Sequence, residues 1–348
     1  MPNPNTLFDP NTLAESFPDA AASGHLDGLD PHRTPYEELA ERFRNHQAVQ
    51  GIAAQAGVSV GTAENVADLM NPPSHNSLDA FASSPEGRAF TERVKNVHGT
   101  MGNMLQVTGD VFALPELNSP EFASVDWQRL HEAVGAYERL GIPSEVVFTP
   151  INRPLEGDHG WKTFFSGLTT WQETNHPNVE HKLAKQNDGD GLWINDEVLS
   201  QWNDVIDTNA DAEQWQVSVV PVSDKAPVLS VARDATASDG SIPADLKNIL
   251  DKLPTNTSNQ TDPDVYLLTN PKAETLLTIH AMRHFELKDL IDGKINGIYY
   301  WSWAEGVIND GASGLAVRWS PDHGQVFLYH RDVGHRAGNL GVRPEVRG

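Results

Sequence analysis

The chain of 348 residues carries 25 Lys and Arg against 48 Asp and Glu, a formal charge of −23, and contains no cysteine. Without thiols there can be no disulfide framework, thiolate zinc site, iron–sulfur cluster or cysteine nucleophile, and so negative a chain is a poor general partner for nucleic acid. At roughly 150 residues per domain the length suggests about two domains, enough for a core without staples.

In chain order, residues 1–33 are rich in Pro, Asp, Asn and Gly and read as a disordered arm. The N-terminus shows no export signal, and no run approaches the roughly 20 apolar residues that span a bilayer, so the expected location is the cytoplasm without membrane insertion. Residues 34–118 read as a helical module, with amphipathic patterns over 34–56, 60–70 and 78–97. From 119 a second organisation begins: a helix over 126–140 stopped by Gly141 and Pro143, a strand over 145–149, and helices over 160–174 and 196–206. Strands over 215–222 and 227–232 look paired with each other, and 245–253 is a short helix in a polar loop that also carries sequons at Asn256 and Asn259. Asn270 as cap and Pro271 at the first position predict a helix to Leu290. Beyond it, short strands over 298–304, 315–319 and 325–330 alternate with Gly-rich loops, so the fold class is α+β with short strands and long loops.

Charge and aromatic rings are both unevenly spread. Residues 311–348 hold five Arg (318, 331, 336, 343, 347) against Asp322, Asp332 and Glu345, a balance of +2, and no Lys follows Lys294. Seven of the 27 aromatic residues fall between 299 and 329. Tyr299, Trp301 and Trp303 share one face and read as a core strand. In 325–331, Val326, Leu328 and His330 face one way, which turns Phe327, Tyr329 and Arg331 outward. Aromatic and Arg side chains displayed on a rigid strand suit a binding surface.

Other patterns are weaker. Residues 186–197 match a calcium loop at Asp188, Asp190, Gly191 and Glu197, but Gln186 takes the first ligand position. His330-Arg331-Asp332 copies a kinase triplet without its companion motifs. His176 and His181 are poorly spaced for one metal, and no hydrolase, metalloprotease or nucleotide-binding fingerprint is present. No cofactor is expected.

The tail from Gly314 to Gly348, closing on Asn339-Leu340-Gly341-Val342-Arg343, resembles the end of proteins with a C-type lectin fold of the formylglycine-generating-enzyme type. It is most similar to the variable proteins of diversity-generating retroelements. The resemblance is clear over the last 50–80 residues and loose from about 120. It implies a C-type lectin-like domain over 119–348 with a variable-type segment over 311–343, and a ligand-binding face rewritten by adenine-directed mutagenesis. The oxidase members use active-site cysteines, which this chain lacks, so the resemblance implies a binder and no enzyme. Trp202-Asn203-Asp204 copies a sugar-lectin element far from its usual place.

Under adenine-directed change, an Asn codon cannot become Lys, Gln, Glu, Met or Trp. The positions expected to bind ligand are Val317, Arg318, Ser320, Asp322, His323, Phe327, Tyr329, Arg331, His335, Ala337 and Asn339, none of a forbidden type. Trp319, Gln325 and Glu345 must then be scaffold, with Val326, Leu328, Val333, Leu340 and Val342, while Gly334, Gly338 and Gly341 permit tight turns. A protein partner suits such a face better than a small ligand. The rival expectations are an enzyme using His and carboxylates in a deep site, and a structural or phage-like assembly protein.

Overall fold

A computed structural model describes residues 78–82, 84–186, 189–206, 214–229, 248–253 and 270–348. The expected arm over 1–33, the helices over 34–56 and 60–70 and both sequons lie outside the described residues.

The first described elements are α1 (Leu78–Phe81) and α2 (Pro85–Val107). Ser84 caps α2 by accepting from Gly87 N at 2.9 Å, and Pro85 occupies the first turn, where its missing N–H costs nothing. The buried stripe Phe90, Val94, Met101, Met104 and Leu105 is amphipathic-helix spacing. These side chains join the same hydrophobic core as the C-terminal strands, and residues 76–348 make one compact unit. Among the described residues α2 packs on α1 and also on the strand Ser144–Ile151 and the helix Trp161–Asn175, so no core boundary falls at the expected 118/119.

Next come α3 (Trp127–Arg139), β1 (Ser144–Ile151) and α4 (Trp161–Asn175). Asp126 caps α3 by accepting from Arg129 N at 3.0 Å, and Gly141 at φ 70° lets the chain turn back into β1. β2 (Lys185–Gln186), β3 (Gly189–Asp190) and β4 (Leu192–Ile194) lead into α5 (Asp196–Val205), followed by β5 (Gln214–Pro221) and β6 (Val228–Leu229). β5 and β6 do not pair with each other as expected. β5 is the centre of a three-stranded sheet between β1 and β13 (Val346–Arg347), and β6 joins another sheet.

That second sheet has six strands in the order β4, β11 (Gln325–Asp332), β10 (Ser313–Ser320), β9 (Trp301–Ile308), β12 (Leu340–Val342) and β6. The expected strand over 298–304 is two pieces. β7 (Lys294–Ile295) and β8 (Ile298–Tyr299) form a hairpin whose Asn296-Gly297 turn has both residues at positive φ, and β9 then starts at Trp301.

The helix α6 (Ala273–Glu286) packs on β1 of the smaller sheet and on β9, β10 and β11 of the larger. Every residue from Ala273 to His284 is buried. The helix begins at Ala273 and not at Pro271, because Glu305 N donates to Pro271 O and Lys272 bridges to Glu305, which holds 271–272 extended along β9. A helix with no solvent face must satisfy its polar groups internally. Glu274 accepts from Arg153 N, Thr278 donates to Glu274 O, and Arg283 pairs with Glu145 at 2.8 Å. His280 keeps both ring nitrogens unpartnered among the described residues.

The scaffold expectations hold for Val326, Leu328, Trp319, Gln325, Leu340, Val342 and Glu345, all buried, whereas Val333 is only half-buried. The glycine that matters is another one. Gly324 has φ 64°, and a Cβ there would lie 2.6 Å from Ala184 Cβ and 2.8 Å from Lys182 O. Gly334 and Gly338 have no positive φ and open space around them, and Gly341 is a strand residue paired with Leu229 and Ser302.

Candidate functional site

The β10–β11 register decides which side chains can meet. Arg318 lies opposite Phe327, Ala316 opposite Tyr329 and Gly314 opposite Arg331; on the reverse face Val317 lies opposite Leu328 and Trp319 opposite Val326. The reverse face is core, with Trp319 packed edge-on against His284 of α6 at 4.4 Å. The front face is half-open.

At its centre the Arg318 guanidinium lies 4.0 Å from the ring centroid of Tyr299, 4.4 Å from Trp301 and 4.9 Å from Phe327. Arg331 lies 5.2 Å from Trp301 and 4.9 Å from Tyr329. Parallel pairing of β4 with β11 puts Trp193 beside Phe327, with centroids 4.9 Å apart, and 6.0 Å from Tyr329. Tyr329 reaches Trp301 at 6.0 Å, and His323 reaches Phe327 at 5.4 Å. Two guanidinium groups are thus set among five rings drawn from four strands. Burial lowers the Arg318 pKa, with Arg331 adding to the effect and Tyr299 and Asp322 opposing it.

The β7–β8 hairpin closes one side. Lys294 Nζ lies 2.6 Å from Asp322 and 4.9 Å from the Tyr299 ring, and the Tyr299 hydroxyl donates to Asp322. Lys294 and then Tyr299, hydrogen-bonding to the Asp322 carboxylate, hold its pKa below the usual value. The Lys294 pKa is raised in return.

Of the eleven expected positions, Arg318, Asp322, His323, Phe327, Tyr329 and Arg331 come together here. Val317 and Ser320 do not. Both are fully buried, Val317 because the pleat turns it toward the core and Ser320 because the 321–324 turn folds over it. Asn339 lies beneath the face, donating to Tyr299 O at 2.6 Å and accepting from Trp301 N at 2.8 Å. Ala337 packs on the core, and His335 is exposed without a ring contact among the described residues.

Tyr299, Trp301 and Trp193 are the platform residues that sequence reasoning misses. Strand alternation groups Trp301 with Trp303 in the core. Trp303 is fully buried, but Trp301 lies at the margin with its ring under two guanidinium groups. Trp193 carries no local signal, since only the parallel β4–β11 pairing brings it to the face.

Ser320 Oγ lies 2.9 Å from His323 Nδ1, a contact that suggests a nucleophile and its base. The Ser320 hydroxyl has no exposure, and Asp322 turns away to Lys294 and Tyr299, so the pair stabilises the turn instead. Of the calcium-loop match, Asp188 lies outside the described residues, and the acidic positions that are described have other partners or places. Asp190 accepts from Ser166 at 2.7 Å, Asn195 caps α5, and Glu197 sits in its first turn 3.1 Å from His330. No group of three His, Asp or Glu that could hold a metal exists among the described residues. Two open clefts, of about 540 and 530 Å³, lie elsewhere along α2. In the first, Glu145 pairs with Arg283 and Lys288 pairs with Glu286.

Among the described residues no helix is long and apolar enough to cross a membrane. In comparisons with family models, with curated proteins and with solved structures, nothing matches the chain.

Proposed function

We propose that this chain is a non-catalytic ligand-binding protein that presents the Arg318–Arg331 aromatic face to a protein partner. In this reading the α+β unit is a C-type lectin-like scaffold, and the face is the variable surface of a diversity-generating retroelement. The observation that carries the proposal is the division of labour on the face. Phe327, Tyr329, Arg318 and Arg331 are all residue types that an Asn codon reaches by adenine change, while two of the three platform rings that seat them, Trp193 and Trp301, are of a type it cannot reach, and the third, Tyr299, lies outside the 311–343 segment.

Rigid rings and guanidinium groups give large contact area at small entropic cost, which is what a surface accepting many partners needs. Their shallow placement on a strand pair favours a flat epitope over a closed pocket. The neighbouring DNA tests the proposal. A near-copy of the codons for 311–343, differing only at adenines and lying beside a reverse-transcriptase gene, is the expected finding. A copy whose differences fall on all four bases overturns it.

A further inference from the structure

We infer that the partner segment held by this face carries a carboxylate, an Asp or Glu side chain flanked by apolar residues, which seats over Arg318 and Arg331. This rests on reading the face as a binding surface, and it names what that surface selects.

Three other arginines of the unit are paired in the ordinary way. Arg283, Arg343 and Arg347 each hold a carboxylate within 3 Å. Arg318 and Arg331 hold none among the described residues. Arg318 Nε, like that of Arg283, is shut off from solvent and has no hydrogen-bond partner among the described residues, so the contrast between the two rests on the carboxylate that Arg283 holds and Arg318 does not. Aromatic faces attract a guanidinium through their quadrupole but accept no in-plane N–H, so the donors of Arg318 stay underused. A guanidinium seated on rings with no carboxylate beside it gains most from an acceptor supplied by a ligand, because a charge-assisted hydrogen bond is stronger than a neutral one.

Arg331 adds to that gain. It repels Arg318, and the two share the Trp301 ring at 4.4 and 5.2 Å. The nearest carboxylate on the rim, Asp322, is already engaged by Lys294 and Tyr299 and is not free to turn inward. An incoming carboxylate between the two guanidinium groups would accept from both and cancel their repulsion, a charge-assisted arrangement stronger than a neutral hydrogen bond. The surroundings set the rest of the segment. Trp193, Phe327 and Tyr329 offer apolar area beside the cations, and Ile298 at the hairpin tip is 51% exposed. A polyanion fits less well, since a body of −23 repels extended negative charge and Lys294, the further cation at the edge of the face, is already paired with Asp322.

The test is a random-peptide display selection on the full chain, followed by affinity measurement on synthetic copies of the selected peptides. Enrichment of Asp or Glu next to apolar residues is expected, with Arg318→Gln weakening binding by about tenfold or more. Replacing the peptide acid by its amide should weaken binding to the unsubstituted protein as much, and cost little more in Arg318→Gln. If Arg318→Gln does not fold, Arg331→Gln serves the same cycle. Neutral or basic peptides that still lose binding with Trp193→Ala or Tyr329→Ser would overturn the carboxylate inference and leave the face reading standing. Peptides indifferent to those two substitutions, or no selected peptide at all, would overturn both.

Discussion

Arg343 and Arg318 lie in the same short tail and are handled in opposite ways. Arg343 is fully buried and every arm is used: Asp292 at 2.7 and 3.3 Å, Ser302 Oγ at 2.9 Å, and the carbonyls of Pro221 and Ser223, each at 2.8 Å. Arg318 is only partly buried, lies on three rings and meets no carboxylate among the described residues. The first arrangement ties the chain end to both sheets, since Ser302 is on β9 and Pro221 on β5. The second leaves donors waiting. The tail's net charge of +2 is therefore not one property. Part of it is consumed inside the fold, and part is displayed.

The largest expected effect falls on the buried member. Arg343→Ala leaves Asp292 as an uncompensated charge with no exposure, which costs about 3–5 kcal/mol. Arg343→Lys should recover little, because one ammonium cannot serve four acceptor groups spread around a planar fork. Chemical denaturation of both variants checks this, and a loss under about 1 kcal/mol would erase the contrast with Arg318.

The buried core also sets a response to pH, which sharpens the comparison because its strongly shifted His and Glu side chains fall on α6. Burial pushes His284 down to about 3 and His280 well below its ordinary value. A histidine held neutral in the fold but charged when unfolded costs stability as pH falls below about 6.5, up to about 3 kcal/mol for His284 at pH 4. Burial raises Glu274 to about 7, so its contribution is fully present below about 4.5 and is lost as pH rises through 7. Between pH 4.5 and 6.5 the two slopes oppose each other. Glu274→Gln should therefore steepen the acid limb in that window, and His284→Leu should flatten it. Denaturation midpoints taken across pH 4–8 read both slopes. An unchanged profile in both variants would refute the assignment.

The smallest expected effect is on the face itself. Arg331→Asn should change stability by no more than about 0.5 kcal/mol, because the side chain is half-exposed and pairs with no carboxylate among the described residues, its contacts being the Trp301 and Tyr329 rings. A thermal melt shifted strongly downward would mean that the face is structural, and the distinction from Arg343 would fail.

Much of the fold is legible where local rules operate. The stripe of α3, the stop at Gly141 and the alternation along β11 follow from periodicity and turn chemistry alone. The failures lie where distant segments decide. Nothing near Pro271 announces that Glu305 will hold it extended, and nothing in 215–232 says that β5 and β6 enter different sheets. On the face, alternation correctly turns Phe327, Tyr329 and Arg331 outward, but Val317 fails as a binding position because its place in the pleat is core. Trp193 is invisible because its contact with Phe327 exists only through a parallel pairing across the chain.

The sequence by itself determined the exclusion of thiol chemistry, the concentration of rings and guanidinium groups near the C-terminus, and the outward set on β11. These follow from composition and from the two-residue period of a strand, which act within a few residues. The tertiary structure alone decided which arginines are consumed and which are displayed. Arg343 and Arg318 are chemically identical, and only the long-range arrival of Asp292 or of Tyr299, Trp301 and Phe327 makes one a strut and leaves the other displayed on rings.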